Sequence, residues 1–153
     1  MQAGDVKLGK VFANDHQNVI PIFQRPYVWD QEANWLPLWK DVRTAAEEVE
    51  AEQGDGYTEG DPRTYFLGAV VVQQRRRPPR RLASSNIIDG QQRLTTLQVL
   101  LAAARAVAHS LGADSVVGRF ASLLENRPET VHDDHPNDRY KVWPLPQDRE
   151  AFL

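Results

Sequence analysis

Ile87-Ile88-Asp89-Gly90-Gln91-Gln92-Arg93-Leu94-Thr95-Thr96-Leu97 is the stretch on which the reading of this chain turns. A short apolar run ends at an Asp-Gly pair, and an amphipathic helical pattern begins within the same few residues. A carboxylate, two amides and a guanidinium therefore sit where a strand hands over to a helix N-terminus. Such a terminus offers unpaired N–H donors and a partial positive charge, which suit a phosphate or another anion. The same residues also describe a capping turn with Asp89 as the N-cap, and both readings stand at this point.

Working outward, Leu94, Leu97, Leu101, Ala104, Ala108 and Leu111 recur at three and four residues, and Gly112 supplies a stop. A further helix is expected over 114–126, carrying Val116, Val117, Phe120, Leu123 and Leu124. Residues 127–137 read as a polar loop, 139–143 as a short strand, and 147 onward as the opening of a helix. The chain ends as that helix begins, so an N-terminal fragment of a longer chain is expected. Upstream, Tyr65-Phe66-Leu67-Gly68-Ala69-Val70-Val71-Val72 is continuously apolar and predicts a strand buried on both faces. With so short a connection to the strand at 86–89, the two are expected to pair antiparallel. Residues 54–62 read as a loop. The spacing of Trp35, Leu38, Trp39, Val42, Ala45, Ala46 and Val49 predicts a helix over 34–53, with Pro37 tolerated in its first turn. Prolines in 19–29 favour extended backbone at an edge or in a loop, and residues 1–18 read as irregular or as an edge-strand entry.

The 153 residues correspond to about one domain with an ordinary globular composition, 41% hydrophobic and 25% charged. No run approaches a membrane span or a signal core, so no membrane partner is expected. The absence of cysteine rules out disulfides, thiol catalysis and Cys-ligated zinc and agrees with a cytoplasmic location. The net charge of −3 conceals an asymmetry. Asp41, Glu47, Glu48, Glu50, Glu52, Asp55, Glu59 and Asp61 precede a basic stretch of Arg75, Arg76, Arg77, Arg80 and Arg81. Nucleic-acid binding depends on a local basic face, and arginine forks match phosphate oxygens, so this stretch is a candidate contact to DNA or RNA backbone. A merely solvated charge run is the alternative.

Neither a Walker A loop, nor a dinucleotide fingerprint, nor a Gly-x-Ser-x-Gly elbow is present. His132-Asp133-Asp134-His135 holds metal-ligand types but lacks the flanking pattern of a zinc or HNH site, and a solvated loop is expected there. Gln24-Arg25-Pro26-Tyr27-Val28-Trp29 crowds an amide, a guanidinium and two aromatics into a proline-stiffened segment. It suits base stacking and bidentate phosphate binding, or else Tyr27 and Trp29 are core and Arg25 pairs with an acid. Thr95 and Thr96 either add hydroxyls to an anion site or are simply first-turn residues.

Three segments in order, 20–29 (IPIFQRPYVW), 65–68 (YFLG) and 88–97 (IDGQQRLTTL), resemble the N-terminal domain of the GmrSD-type, ParB-like "DGQQR" family. Lys141-Val142-Trp143-Pro144, followed by Asp148 and Phe152, resembles that family's downstream element, so the likeness covers roughly 15–153. The resemblance implies an α+β fold of the ParB/sulfiredoxin-like type, a small mixed sheet packed by helices. It implies hydrolysis of GTP or ATP with Mg²⁺, double-stranded and modified DNA as partner, and an HNH-type nuclease domain in the full-length chain. Nothing here resembles an HNH motif, so this chain alone is not expected to cut DNA. One branch, SspE-like, senses phosphorothioate DNA and another, GmrSD-like, attacks glucosylated DNA; the arginines and aromatics favour the former.

Carried onto this sequence, the family motif places Asp89, Gln91, Gln92 and Arg93 at the hydrolytic centre. Asp89 would position Mg²⁺ or the attacking water, Gln91 or Gln92 would orient that water, and Arg93 would neutralise the transferring phosphoryl group. Gln24, Arg25, Tyr27, Trp29, Gly90 and Thr95 would contact the nucleotide or a modified phosphate. The alternatives are a modified-DNA reader that does not hydrolyse, and a protein-interaction domain with a vestigial nucleotide site.

Overall fold

The computed structural model describes residue 4, residues 6–52 and residues 66–152. Tyr65, the acidic loop with Asp55, Glu59 and Asp61, and the terminal Leu153 lie outside the described residues. The chain divides into two compact units, one of residues 1–26 with 70–153 and one of residues 27–69. Its architecture is α+β with a small mixed sheet, as expected.

In the first unit, α1 (Leu8–Ala13) leads into β1 (Gln17–Val19), followed further on by β2 (Val71–Gln74), β3 (Ser84–Asp89), α3 (Gln91–Ser110), α4 (Asp114–Leu124), β4 (Val142–Trp143) and α5 (Arg149–Phe152). The four strands lie in the order β2-β3-β1-β4. β1 runs parallel to both β3 and β4, whereas β2 pairs antiparallel with β3. Side chains alternate between the faces of the sheet. Asn18, Ser85 and Val142 stand side by side on one face with Ile87, and Gln17, Val19, Ser84, Asn86 and Trp143 on the other. Ile87 and Val142 are fully buried, and Leu94 and Leu97 of α3 join them in the core. α3 also packs along α4, and α4 against α1.

Two expectations fail here, each for a physical reason. Residues 1–18 are not an irregular entry: Phe12 of α1 is 1% exposed and belongs to the core, and β1 is an inner strand. The polar residues Gln17 and Asn18 conceal that position, because both are buried despite their amides, with Gln17 Nε2 donating to the carbonyls of Asn137 (2.7 Å) and Tyr140 (3.2 Å). The apolar run ending at Val72 is not a strand buried on both faces. Regular pairing begins only at Val71, and all four residues of β2 are exposed. Gly68 takes φ 101°, a conformation that breaks an extended run, and β2 then lies at the sheet edge with a register shift at Val71/Val72.

The ends of the elements are tied by buried polar groups at the borders of the stretch read as a polar loop and in the short strand expected after it. Asn126 accepts from the His16 N–H (3.0 Å) and donates to the Asp138 carbonyl (2.8 Å). Asp138, itself buried, takes two hydrogen bonds from the Arg81 guanidinium (2.7 and 2.9 Å) and one from the Leu82 N–H (3.2 Å). Lys141 is buried and donates to the Asn14 carbonyl at 2.7 Å. Burial holds its ammonium pKa below the usual value, despite the opposing charge of Asp15.

His16 makes stability pH-dependent. Its Nε2 lies 3.0 Å from Ser85 Oγ, and burial, reinforced by the charge of Lys141, lowers its pKa from 6.5. The unfolded chain then binds the proton at a higher pH than the folded one, so stability rises with pH across the window just below 6.5 and is lost on acidification through it. Urea unfolding of the protein and of His16→Gln across this window should show a shallower acid loss in the variant. Identical pH profiles would take His16 out of the account.

In the second unit, a π-helical turn at Gln31–Trp35 runs into α2 (Leu36–Glu52). The helix expected over 34–53 is thus present and starts with an Asp30 cap, whose carboxylate accepts from the Ala33 N–H at 2.8 Å. Pro37 falls in the first turn of α2, as its missing donor requires. Trp35, Trp39 and Val49 of its apolar stripe are exposed.

Candidate functional site

The turn between β3 and α3 is built by a change of backbone geometry at a single residue. Asp89 is still paired in the sheet, opposite Val71, so the chain cannot enter the helix there. It does so at Gly90, which takes φ 91°, ψ 12°, a left-handed conformation that glycine adopts without cost. The N-cap is therefore Gly90 and not Asp89, and it has no side chain with which to cap α3. Asp89 Oδ1 instead accepts from the Gly90 N–H at 2.8 Å, which fixes the carboxylate at the mouth of the turn and leaves Oδ2 without a partner among the described residues. Asp89 is exposed, while Gln91, Gln92, Thr95 and Thr96 behind it are buried.

The two glutamines act first as clamps. Gln91 Nε2 donates to the Arg25 carbonyl (2.7 Å) and Gln92 Nε2 to the Pro26 carbonyl (2.8 Å). In the opposite direction, Gln24 Nε2 donates to the Ile88 carbonyl (2.9 Å). Three amides thus fasten the segment 24–26 to the end of β3 and the first turn of α3, two parts of the chain far apart in sequence. Sequence reasoning grouped Gln24, Arg25, Gln91 and Gln92 and the structure brings them together, but the contacts run through backbone carbonyls that no residue pattern displays. Among the described residues one atom is left over: Gln91 Oε1 is buried without a hydrogen-bond partner there. Such an atom costs about 1–3 kcal/mol unless a donor reaches it.

The other candidates are placed differently. Tyr27 and Trp29 belong to the second unit, where Tyr27 OH accepts from Trp35 Nε1 at 2.7 Å and the two rings lie 6.4 Å apart. Thr96 Oγ1 donates back to the Gln92 carbonyl (2.8 Å), an ordinary helix contact. Arg75, Arg76, Arg77 and Arg80 are exposed beyond β2, with Arg77 Nε donating to the Arg81 carbonyl (2.8 Å). Arg81 is held by Asp138, so its charge is largely spent within the fold. His132 Nδ1 lies 3.3 Å from Asp134, Asp134 lies 4.0 Å from Arg80, and the described residues contain no cluster able to hold a metal ion by itself. Among the described residues no helix is long and apolar enough to cross a membrane.

No curated protein and no solved structure matches the chain. The family model described as the GmrSD restriction endonuclease, N-terminal domain, matches residues 8–153. The match spans the sheet, the turn and both long helices, and the chain belongs to this family of N-terminal domains of modification-dependent restriction systems.

Proposed function

We propose that the turn between β3 and α3 binds and hydrolyses GTP or ATP with Mg²⁺, and that this hydrolysis reports the state of a DNA duplex to a nuclease domain. The observation that carries this reading is Gln91 Oε1, a buried acceptor with no donor among the described residues, at the start of a helix whose N-cap is a glycine without a capping side chain. A water held beside a terminal phosphate supplies the missing donor, and a helix start supplies N–H groups for the phosphate oxygens. Mg²⁺ favours one or two carboxylates completed by phosphates and water, and Asp89, exposed and with Oδ2 unpartnered among the described residues, fits that demand. Bound there, the ion would offset charge on the phosphates. Asp89 would hold the ion or the attacking water, Gln91 would orient that water, and Arg93 would face the developing charge. Gln24, Arg25, Gly90 and Thr95 form the surrounding wall of the site in this reading.

A second reading, a modified-DNA reader that does not hydrolyse, draws on one observation. The side-chain N–H groups of Gln91 and Gln92 are engaged by the carbonyls of Arg25 and Pro26, so orientation of a water falls to Gln91 Oε1. The trigger we favour is phosphorothioate DNA, as in the SspE-like branch, since a sulfur-bearing phosphate is softer and less hydrated and suits arginine beside apolar surface. In this reading the protein has a ParB-like fold, acts in the cytoplasm and precedes an HNH-type nuclease domain in its full-length chain.

Phosphate release from GTP and from ATP, with Mg²⁺ and with modified or unmodified duplex, tests the proposal. Hydrolysis raised by modified duplex alone is the expected result; modification-dependent binding without hydrolysis would establish the reader instead. The arginine stretch has its own test. Replacing Arg75, Arg76 and Arg77 by Ala should lower the salt slope of duplex binding by about one unit for each phosphate no longer neutralised. An unchanged slope would remove the stretch from the interface.

A further inference from the structure

On the face of the sheet opposite Ile87 and Val142 lies a cavity of about 370 Å³, within the size range of small-molecule sites. All its lining residues belong to the first unit, and none comes from the turn at Asp89–Arg93. Ile20, Asn86, Trp143, Asn137, Arg75 and Arg149 are among the residues that line it. Asn86 and Trp143 flank Val19 in the sheet, so their side chains leave the same face. Arg149 is positioned over the Trp143 ring, 4.6 Å from its centroid, and that ring stacks with Tyr140 at 5.7 Å.

The chemistry of this lining is specific. Arg81 also borders the cavity, but its charge is matched by Asp138. Arg149 Nε donates to the Pro144 carbonyl at 3.4 Å, but neither Arg75 nor Arg149 has an acidic partner among the described residues, so two guanidinium groups whose charge no carboxylate there offsets border one cavity. Two such forks suit a phosphate group, whose oxygens accept their paired N–H donors. The side-chain amides of Asn86 and Asn137 make no hydrogen bond among the described residues, and each offers a donor and an acceptor. Donor–acceptor pairs of this kind match the edge of a nucleobase. A bare anion would use the arginines alone and leave the amides and the apolar residues unexplained.

We propose that this cavity is a second ligand site, distinct from the turn, which takes one nucleoside monophosphate unit with its phosphate on Arg75 and Arg149 and its base against Ile20, Asn86 and Asn137. The site stands whether or not the turn hydrolyses nucleotide. The unit comes either as a free nucleotide or as one residue of a DNA strand, and the test separates the two.

Calorimetric titration of the protein with each of the four deoxynucleoside 5′-monophosphates, the matching nucleosides, inorganic phosphate and a short single-stranded oligonucleotide would decide the matter. Saturable binding of a monophosphate is expected, weakened about tenfold by Arg75→Ala and by Arg149→Ala, and less by Arg149→Lys, which keeps the charge but loses the fork. Arg119→Ala, on α4, should bind as the unaltered protein does. Thermal melting confirms that each variant is folded, and Arg75→Ala, at an exposed edge, retains the test if Arg149→Ala does not fold. Binding of the oligonucleotide alone, with the same dependence on Arg149, would identify a DNA strand as the source. No binding of either ligand, binding indifferent to Arg149, or binding lost in Asp89→Ala alone would overturn the proposal.

Discussion

Asp89→Ala should lower nucleotide hydrolysis by at least about two orders of magnitude, the scale seen when one transition-state contact is removed from a preorganised site. The fold should survive. The carboxylate is exposed, and the one hydrogen bond it makes in the structure is to the adjacent Gly90 N–H, worth about 1 kcal/mol. The turn itself depends on the left-handed backbone of Gly90 and on the amides from Gln24, Gln91 and Gln92, none of which the substitution touches. Phosphate release and urea unfolding should be measured on the same preparation. A folded variant that hydrolyses at the unaltered rate would sink the assignment of Asp89, whereas joint loss of rate and stability would reassign it to structure.

Phe12→Ala should cost about 3–5 kcal/mol, the usual cost of truncating a fully buried aromatic, which is a large share of a domain's stability. Phe12 lies in α1, a helix of only six residues whose own hydrogen bonds cannot sustain it. Packing against α4 holds the helix in place, and β1, the inner strand, follows directly. Urea midpoints give the measurement, and Phe12→Leu, which retains most of the apolar volume, should lose less than half as much. A loss below about 1 kcal/mol for the alanine variant would show that α1 is an appendage rather than part of the core.

The candidate site was legible to different depths. Asp89, Gly90 and Arg93 were visible because they occupy one continuous strand–turn–helix stretch, whose local pattern is self-explanatory. The association of Gln24 and Arg25 with that stretch followed from family resemblance, and its physical basis, three amides bonded to main-chain carbonyls, came from the structure. Asp138 and Asn126 gave no signal: both sit in a polar stretch, and only the approach of Arg81 and His16 makes them buried partners. The lining of the second cavity was equally hidden, since Arg75 and Arg149 stand far apart in the unit's sequence and border one cavity only in the folded chain.

Local chemistry alone determined β3, the turn and the long helices α3 and α4, because apolar spacing, an Asp-Gly pair and a stop glycine act over a few residues. It also placed α2 and its proline correctly. What only the tertiary structure decided was which strands are inner and which are edge. β1 is three residues long and mostly polar, yet it lies between β3 and β4, whose residues supply its hydrogen-bond partners from far along the chain. The apolar run ending at Val72 looked like the centre of a sheet, yet it joins the sheet only in β2, an exposed edge strand, because burial depends on what packs against a strand as much as on its own side chains.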